Sequence, residues 1–217
     1  MGKDLVTLPK GTPPAPYDAD AFKASTESGD WLPRLQLMTA NSKECKGGKF
    51  PINHWALVRD QTFQDLGKSV DVLLIEWRPK AMEIGEQIIT CYDPKLEEFE
   101  RIKKEAGVKD SGCMYGPEFL VWIPDAQAFA TFFMGSKSSR REAKNVLALI
   151  KNAGTLKAKE ITTAKYTWWS PIIEKCAGAF DLPDQELLVE QHSKFVNPPE
   201  SEIERAPEGG TEGGRAR

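Results

Sequence analysis

One stretch of the chain carries the most information about its fold: Phe132-Phe133-Met134-Gly135-Ser136-Lys137-Ser138-Ser139-Arg140-Arg141-Glu142. An aromatic strand end is followed by a small polar turn, and a helix begins directly after it. Ser139 and Glu142 have the S-x-x-E spacing of a capping box at a helix N-terminus. Four apolar residues follow at the spacing of one helix face: Ala143, Val146, Leu147 and Ile150. The sequence therefore predicts a helix from about Arg140 to Asn152.

A cluster of cations surrounds the start of this predicted helix: Lys137, Arg140, Arg141 and Lys144. The free backbone N–H groups and the positive end of the helix dipole already favour an anion at a helix N-terminus. Cations at that end oppose the dipole, so the stability of the helix does not require them. A bound phosphate would explain the cluster, and a solvated basic face is the alternative interpretation.

The distribution of charge is more informative than its total. The 217 residues carry a formal net charge of −3, which excludes a polycationic protein. Between Lys137 and Lys165, however, eight Lys or Arg residues face two Glu residues, whereas five Glu and three Arg follow Val196. A basic stretch in a mildly acidic protein can attract an anionic partner by local electrostatics.

Several classes of catalytic and metal site are disfavoured by the residues present. The four cysteines have long, irregular spacings without a C-x-x-C pair, and only two histidines accompany them, which disfavours a zinc site. Gly135-Ser136-Lys137-Ser138 lacks the first Gly and the Gly-Lys step of a P-loop. His54, in an apolar strand entry, is interpreted as structural. We therefore expect a protein that is not an enzyme and that needs no cofactor.

Three segments are expected along the chain. Residues 1–30 are rich in proline and small polar residues, which predicts an irregular N-terminal arm. Residues 31–196 form a single globular domain, and residues 197–217 form a disordered tail of Gly, Glu and Arg. The chain opens without the apolar core of a signal peptide and contains no apolar run of membrane-spanning length, so we expect a reduced, cytoplasmic protein.

The domain is predicted to be strand-rich. Strands are expected near residues 34–40, 54–59, 70–77, 86–92 and 157–169, with a hairpin of 118–123 and 128–134 turned by Pro124-Asp125. A further helix is expected from Asp93 to Gly107, with Asp93 as N-cap and Pro94 at its first position. Another is expected over Leu182 to Phe195, starting near Pro183-Asp184. This pattern favours a β-rich α+β fold, an OB-like small β-barrel elaborated with two or three helices. A β-sandwich with peripheral helices is the second choice, and an α/β sheet is less favoured because strands and helices do not alternate regularly.

Aromatic residues are interleaved with basic ones, a combination that suits single-stranded nucleic acid because cations bind phosphates and flat rings stack on bases. The candidate binding residues are Arg34, Trp55, Arg59, Trp77, Arg78, Lys80, Phe133, Lys137, Arg140, Arg141, Lys144, Tyr166, Trp168 and Trp169. In the alternative interpretation, rings on alternating strands such as Trp55 are core residues. Neighbouring strand residues face opposite sides, so one of Trp168 and Trp169 is expected to leave the core.

The chain also resembles uncharacterised proteins of tailed bacteriophages over about residues 31–198. The resemblance is carried by Leu32-Pro33-Arg34-Leu35-Gln36, Cys113-Met114-Tyr115-Gly116-Pro117-Glu118-Phe119, Ala130-Thr131-Phe132-Phe133-Met134-Gly135-Ser136 and Arg140-Arg141-Glu142-Ala143. Proteins of this kind are similar to phage replication and recombination accessory proteins, including OB-fold single-stranded DNA-binding proteins. The strongly acidic tail of such proteins is only partly matched, because Arg205, Arg215 and Arg217 dilute its acids.

The resemblance and the residues together predict a single-stranded DNA-binding protein acting in phage DNA replication or recombination. It would work in the cytoplasm of a bacterial host, with replication or recombination proteins as further partners and with a homo-oligomer left open. The first alternative is a phage structural or host-interaction protein without nucleic-acid activity. The second is an enzyme or nuclease subunit whose carboxylates come together from distant segments.

Overall fold

The computed structural model describes residues 32–59, 62–85, 87–164, 167–176 and 181–198, and the backbone of residues 201–205. The expected N-terminal arm lies outside these ranges, as do Tyr166 and the last twelve residues of the expected tail. Among the described helices, none has the length and apolar character needed to cross a membrane.

Ten strands and four helices make up the described part of the chain. The strands are β1 Arg34–Leu37, β2 Trp55–Arg59, β3 Thr62–Gly67, β4 Ser69–Ile84, β5 Gln87–Cys91, β6 Cys113–Ile123, β7 Ala128–Phe133, β8 Ala153–Thr162, β9 Thr167–Lys175 and β10 Ser201–Arg205. The helices are α1 Lys43–Lys46, α2 Glu97–Glu105, α3 Lys137–Leu147 and α4 Gln185–Val196, and a 3-10 turn spans Pro124–Ala126.

The strands form one mixed sheet in the order β10-β5-β4-β6-β7-β1-β2-β3, and β8 adds to β4 and carries β9. The long strand β4 is its centre. One edge of β4 pairs with β6 along most of its length, and the other edge pairs with β8 at its start and with β5 at its end. The contact of β1 with β7 is parallel, whereas the other described pairings are antiparallel.

Helices cover both faces of the sheet, which we call the front and the back. On the front face, α3 packs through Ala143 and Val146 on a core that includes Phe119 and Phe132. Helix α2 packs on the same face. It contacts Cys113, which lies an even number of residues from Phe119 along β6, and alternate residues of a strand point to the same face. On the back face, α4 packs through Leu188 and Phe195 on a cluster that includes Leu120 and Trp122. Because successive side chains of β6 point to opposite faces, this one strand contributes apolar residues to the core on the front and to the core on the back.

The predicted strand-rich α+β class is confirmed, and so are several local signals. The hairpin of β6 and β7 turns at Pro124–Ala126 as predicted. Helix α4 begins after Asp184, whose Oδ1 accepts hydrogen bonds from the backbone N–H groups of Glu186 at 2.9 Å and Leu187 at 3.1 Å. A short polar residue before an apolar helical pattern was sufficient to locate this helix start.

Two predicted helix starts are wrong. Asp93 does not cap α2, because its carboxylate accepts from the N–H of Lys95 at 2.9 Å in a turn that precedes the helix. Helix α3 begins at Lys137, and its N-cap is Ser136, whose Oγ accepts from the N–H of Ser139 at 3.1 Å. The predicted capping box of Ser139 and Glu142 is therefore displaced by one turn. At α3 a second cap-forming residue, Ser136, takes the cap, whereas the N-cap position of α2 is Leu96, which makes no side-chain cap hydrogen bond.

The barrel and part of the tail also differ from the sequence prediction. Within the described pairings, β3 has only β2 as a neighbour and β10 has only β5, so the sheet is open and an OB-like closure is not shown. Ser201–Arg205 was expected in a disordered tail, but its backbone pairs antiparallel with Gln87–Cys91. An unpaired edge strand offers a row of backbone donors and acceptors, which a nearby, mostly polar segment can satisfy through its backbone.

Candidate functional site

A stripe of three cations runs along the solvent side of α3. Lys137, Arg141 and Lys144 are exposed and lie at i, i+4 and i+7, which places them on one face of the helix. Within the described residues, none of the three side chains forms an ion pair or a hydrogen bond. We call these residues the α3 stripe. Its cations are available to an external anion.

The structure holds the α3 stripe firmly in place. The N-terminus of α3 is capped by Ser136, and the opposite side of the helix is fixed by the buried residues Ser139, Ala143 and Val146. Like charges at i and i+4 destabilise a helix, and cations near its N-terminus oppose its dipole. The stripe is therefore an unfavourable arrangement for the helix alone, which the packing of α3 tolerates.

Arg140 belongs to the predicted cluster but has a different environment. Its Nη1 donates to the carbonyl of Tyr115 at 2.9 Å and to the carbonyl of Gly135, and its Cζ lies 4.0 Å above the centre of the Tyr115 ring. A Cβ at Gly116 would lie 2.2 Å from the carbonyl oxygen of Met134, so only glycine permits this close approach. Arg140 thus connects α3 to β6 and is occupied by protein acceptors.

Arg78 and Lys80 are likewise occupied, by a carboxylate that sequence reasoning missed. Glu118 is 2 % exposed on the back face, directly opposite Arg78 in the register of β4 and β6. Arg78 Nε and Nη2 both lie 2.7 Å from Glu118 Oε2, and Lys80 Nζ lies 2.8 Å from Oε1. Burial alone would raise the pKa of Glu118, but Lys80 and Arg78 outweigh burial and hold it below its ordinary value.

Aromatic rings enclose this ion cluster. The Cζ of Arg78 lies 3.8 Å from the centre of the Tyr92 ring and 4.3 Å from that of Phe195, and its Nη1 donates to the Phe195 carbonyl at 2.7 Å. Lys80 Nζ lies 5.3 Å from the Phe133 ring centre. The predicted residues Arg78, Lys80 and Phe133 therefore come together, but as a network that ties α4 to the sheet.

The predicted aromatic residues fall into three environments. Trp55 is fully buried and packs edge-on against Phe132 at 5.5 Å, so its ring does not suit base stacking. Trp77 is 44 % exposed on the front face, opposite Phe119, whereas Trp168 and Trp169 are half-buried on β9. The two tryptophans of β9 and Trp77 remain candidates for stacking.

Two predicted arginines, Arg34 and Arg59, lie on strands other than the one that carries Arg78 and Lys80. Arg34 and Arg59 are exposed on β1 and β2, towards the β3 end of the sheet. The register of β1 with β2 pairs Arg34 with Val58, the neighbour of Arg59, so the two arginines point to opposite faces. They do not form a common surface.

The helix start and the two tryptophans of β9 lie at opposite ends of β4. Arg140 contacts the region of Gly116, which pairs with Lys80 near the end of β4, whereas the hairpin of β8 and β9 leaves the sheet at Ser69. The separation of Ser69 and Lys80 along β4 is about 35 Å at the rise of a strand. Helix α3 and β9 pack against one another and join these two ends.

One cluster of carboxylates and a thiol has the proximity of metal ligands. Single ligand atoms of Glu83, Glu105 and Cys113 lie within 4.8 Å of one another. Arg101 occupies the same place, however, with Nη2 at 2.5 Å from Glu83 and Nη1 at 3.3 Å from Glu105. Burial, together with the nearby Glu83, raises the pKa of Cys113 and favours the thiol. The cluster fits an arginine better than a cation from solution.

Comparisons with protein-family models, with curated proteins and with solved structures gave no match. The resemblance to tailed-bacteriophage proteins therefore stays a prediction. The function has to be argued from the geometry of the chain itself.

Proposed function

We propose that the protein binds single-stranded nucleic acid and that the α3 stripe contacts the phosphates. The observation that carries the proposal is the exposure of Lys137, Arg141 and Lys144 on one helix face, without acceptors among the described residues. The other predicted cations of the middle of the chain, Arg78, Lys80 and Arg140, are held by protein acceptors. The stripe is thus the part of the predicted site that suits an external anion.

The dimensions and charge of the stripe support a polyanion. Lys137 and Lys144 are separated by about 10 Å along the helix axis, a length over which a nucleic-acid strand presents more than one phosphate. Phosphate contacts carry no sequence information, so binding by the stripe alone is expected to be insensitive to base identity. The predictions of an OB-like fold and of a role in phage DNA replication or recombination are part of this proposal.

The test is binding of a fluorescent, unstructured oligo-dT to the full chain at several salt concentrations. Each phosphate contact that is lost should lower the slope of log K against log salt by about 0.7 on a single strand. We expect K137Q/R141Q/K144Q to lose up to about two units of slope and to bind at least tenfold more weakly at low salt.

A matched control removes the same charge elsewhere. Lys43, Lys46 and Lys49 are also exposed, on and just after α1, so K43Q/K46Q/K49Q has the same net charge as the stripe variant. The control should keep most of the slope. If the two variants lose affinity and slope equally, the loss comes from the change in net charge and not from contacts of the α3 stripe. If the wild type does not bind at low salt, the proposal is wrong.

A second candidate function is supported by α4. Leu187, Val189 and Val196 of α4, and Leu182 just before it, are each at least 40 % exposed. Exposed apolar residues grouped on one element are typical of a protein-interaction surface. This observation favours a structural or host-interaction protein, the interpretation to adopt if the wild type binds no oligonucleotide.

A further inference from the structure

The hairpin of β8 and β9 extends beyond the sheet. Its last contact with β4 pairs Lys157 with Ser69, and the pairings from Ala158 with Pro171 to Thr162 with Thr167 involve β8 and β9 alone among the described strands. We call residues 158–162 and 167–171 the arm. Trp168 and Trp169 are adjacent on it, and neither is fully buried.

The two tryptophans lie on opposite sides of the arm. Trp169 has the parity of Pro171 and Ile173, and Ile173 packs on the core cluster that contains Ala143 and Val146 of α3. Trp168 has the parity of Ser170, whose cross-strand partner Lys159 is exposed, so Trp168 lies on the side of the arm turned away from α3. Trp169 therefore lies on the side of the arm that continues from α3.

The strands and α3 form a continuous path. Helix α3 runs from the level of Lys80 towards Leu74, whose carbonyl accepts from the N–H of Lys151, and β8 then continues to Ser69. Trp169 lies four residues from Ile173, or about 13 Å along the strand. A ligand that leaves the α3 stripe along β9 reaches Trp169.

We propose that one single strand of nucleic acid follows this path, with its phosphates on the α3 stripe and a base stacked on Trp169. The inference rests on the proposed function and adds the residue that binds a base. It also assigns Trp168 to the side of the arm turned away from α3, outside the path. Stacking on a flat ring does not discriminate among the bases, so this contact adds affinity without sequence preference.

Charge complementarity supports a nucleic-acid strand as the occupant. Residues 137–176 contain nine Lys or Arg and three Glu, whereas the chain as a whole has a net charge of −3. Along the hairpin, Lys157 is paired with Glu174 at 2.5 Å and Lys159 lies on the Trp168 side, whereas Lys175, on the Trp169 side, is exposed without an ion pair among the described residues. An anionic strand would be attracted along α3 and Lys175, whereas Glu160, directly opposite Trp169, repels a phosphate at that position.

The experiment compares two probes and two adjacent variants. The probes are an oligo-dT and a strand of equal length made of abasic sites, which keeps the phosphates and lacks the bases. In W169L we expect oligo-dT to bind about 5- to 100-fold more weakly, the range for loss of one stacked base, and the abasic strand to bind as before. W168L should leave the affinity ratio of the two probes unchanged.

The outcomes separate this inference from the proposed function. If the wild type binds oligo-dT with a steep salt dependence but W169L keeps the wild-type ratio of affinities, or W168L lowers it equally, the inference is wrong and the proposed function stands. If the wild type binds neither probe at low salt, both are wrong. Should W169L fail to fold, photocross-linking of iodouracil-containing strands to the wild type decides the question: the cross-link must map to Trp169, and a cross-link to Trp168 would overturn the inference.

Discussion

At the scale of single residues, Glu118 determines the character of the back face. A fully buried carboxylate is strongly unfavourable unless cations and hydrogen bonds replace its hydration. Arg78 and Lys80 provide both, and the Arg78 guanidinium also lies against the rings of Tyr92 and Phe195. Removing the carboxylate would leave two half-buried cations uncompensated, so the network is sensitive to a change of one group.

We predict that Glu118→Gln lowers the free energy of unfolding by about 3–5 kcal/mol at neutral pH, the range for breaking a buried ion pair. The depressed pKa of Glu118 means that this contribution is complete above the ordinary carboxyl pKa and is lost as the pH falls through the lower folded-state pKa. Denaturant unfolding at several pH values should therefore show the difference between wild type and variant shrinking below about pH 4.5.

The control for this prediction is Glu100→Gln. Glu100 pairs with Lys103 at 2.7 Å on the surface of α2 with 57 % of its side chain exposed. An exposed pair of this kind contributes little to stability, because water and salt screen its charges. Similar losses in the two variants, or a difference that does not depend on pH, would contradict a buried ionised Glu118.

At the scale of elements, the start of α3 separates two neighbouring arginines. Arg140 points to β6 and donates to two backbone carbonyls, whereas Arg141 points to solvent. Successive helical residues are rotated by about 100° around the axis, which is sufficient to place one side chain in a protein contact and the next in the stripe. The basic cluster therefore has two parts. Arg140 connects α3 to the sheet, and the exposed cations of the α3 stripe face solvent.

We predict that Arg140→Ala lowers the free energy of unfolding by about 2 kcal/mol, because hydrogen bonds from a charged donor and the stacking on Tyr115 are both lost. Arg141→Ala should change it by less than about 0.5 kcal/mol and weaken oligo-dT binding instead. Thermal melting and the binding assay on both single variants measure this division. A stabilised Arg140→Ala variant would show that the contacts to Tyr115 and Gly135 contribute nothing net.

At the scale of the whole molecule, one long strand organises the fold. β4 pairs with β6 on one edge and with both β8 and β5 on the other, so the arm and the β5–β10 edge extend from the same strand in opposite directions. The backbone of Ser201–Arg205 closes the edge of β5. The end of the chain thus contributes to the sheet, although its composition predicts disorder.

We predict that a chain ending at residue 205 melts at the temperature of the full chain, whereas a chain ending at residue 200 melts lower. Loss of the β10 pairing exposes the β5 edge, and a loss of 1–2 kcal/mol corresponds to roughly 2–8 °C for a protein of this size. Calorimetry on the two truncated chains is the measurement. Identical melting temperatures would mean that β10 adds nothing to stability.

Local signals in the sequence determined the strand-rich class, the β6–β7 hairpin and the start of α4 near Pro183-Asp184, because each depends on a few neighbouring residues. The cations of α3 could also be found from the sequence, since their helical spacing is local. Only the tertiary structure decided which of them are free. Glu118 lies 40 residues from Arg78, and Tyr115 lies 25 residues from Arg140, so no local pattern announces these pairings. The physical reason is that strand register and burial, which arise only when distant segments pack together, determine whether a charge meets a protein partner or remains open to a ligand.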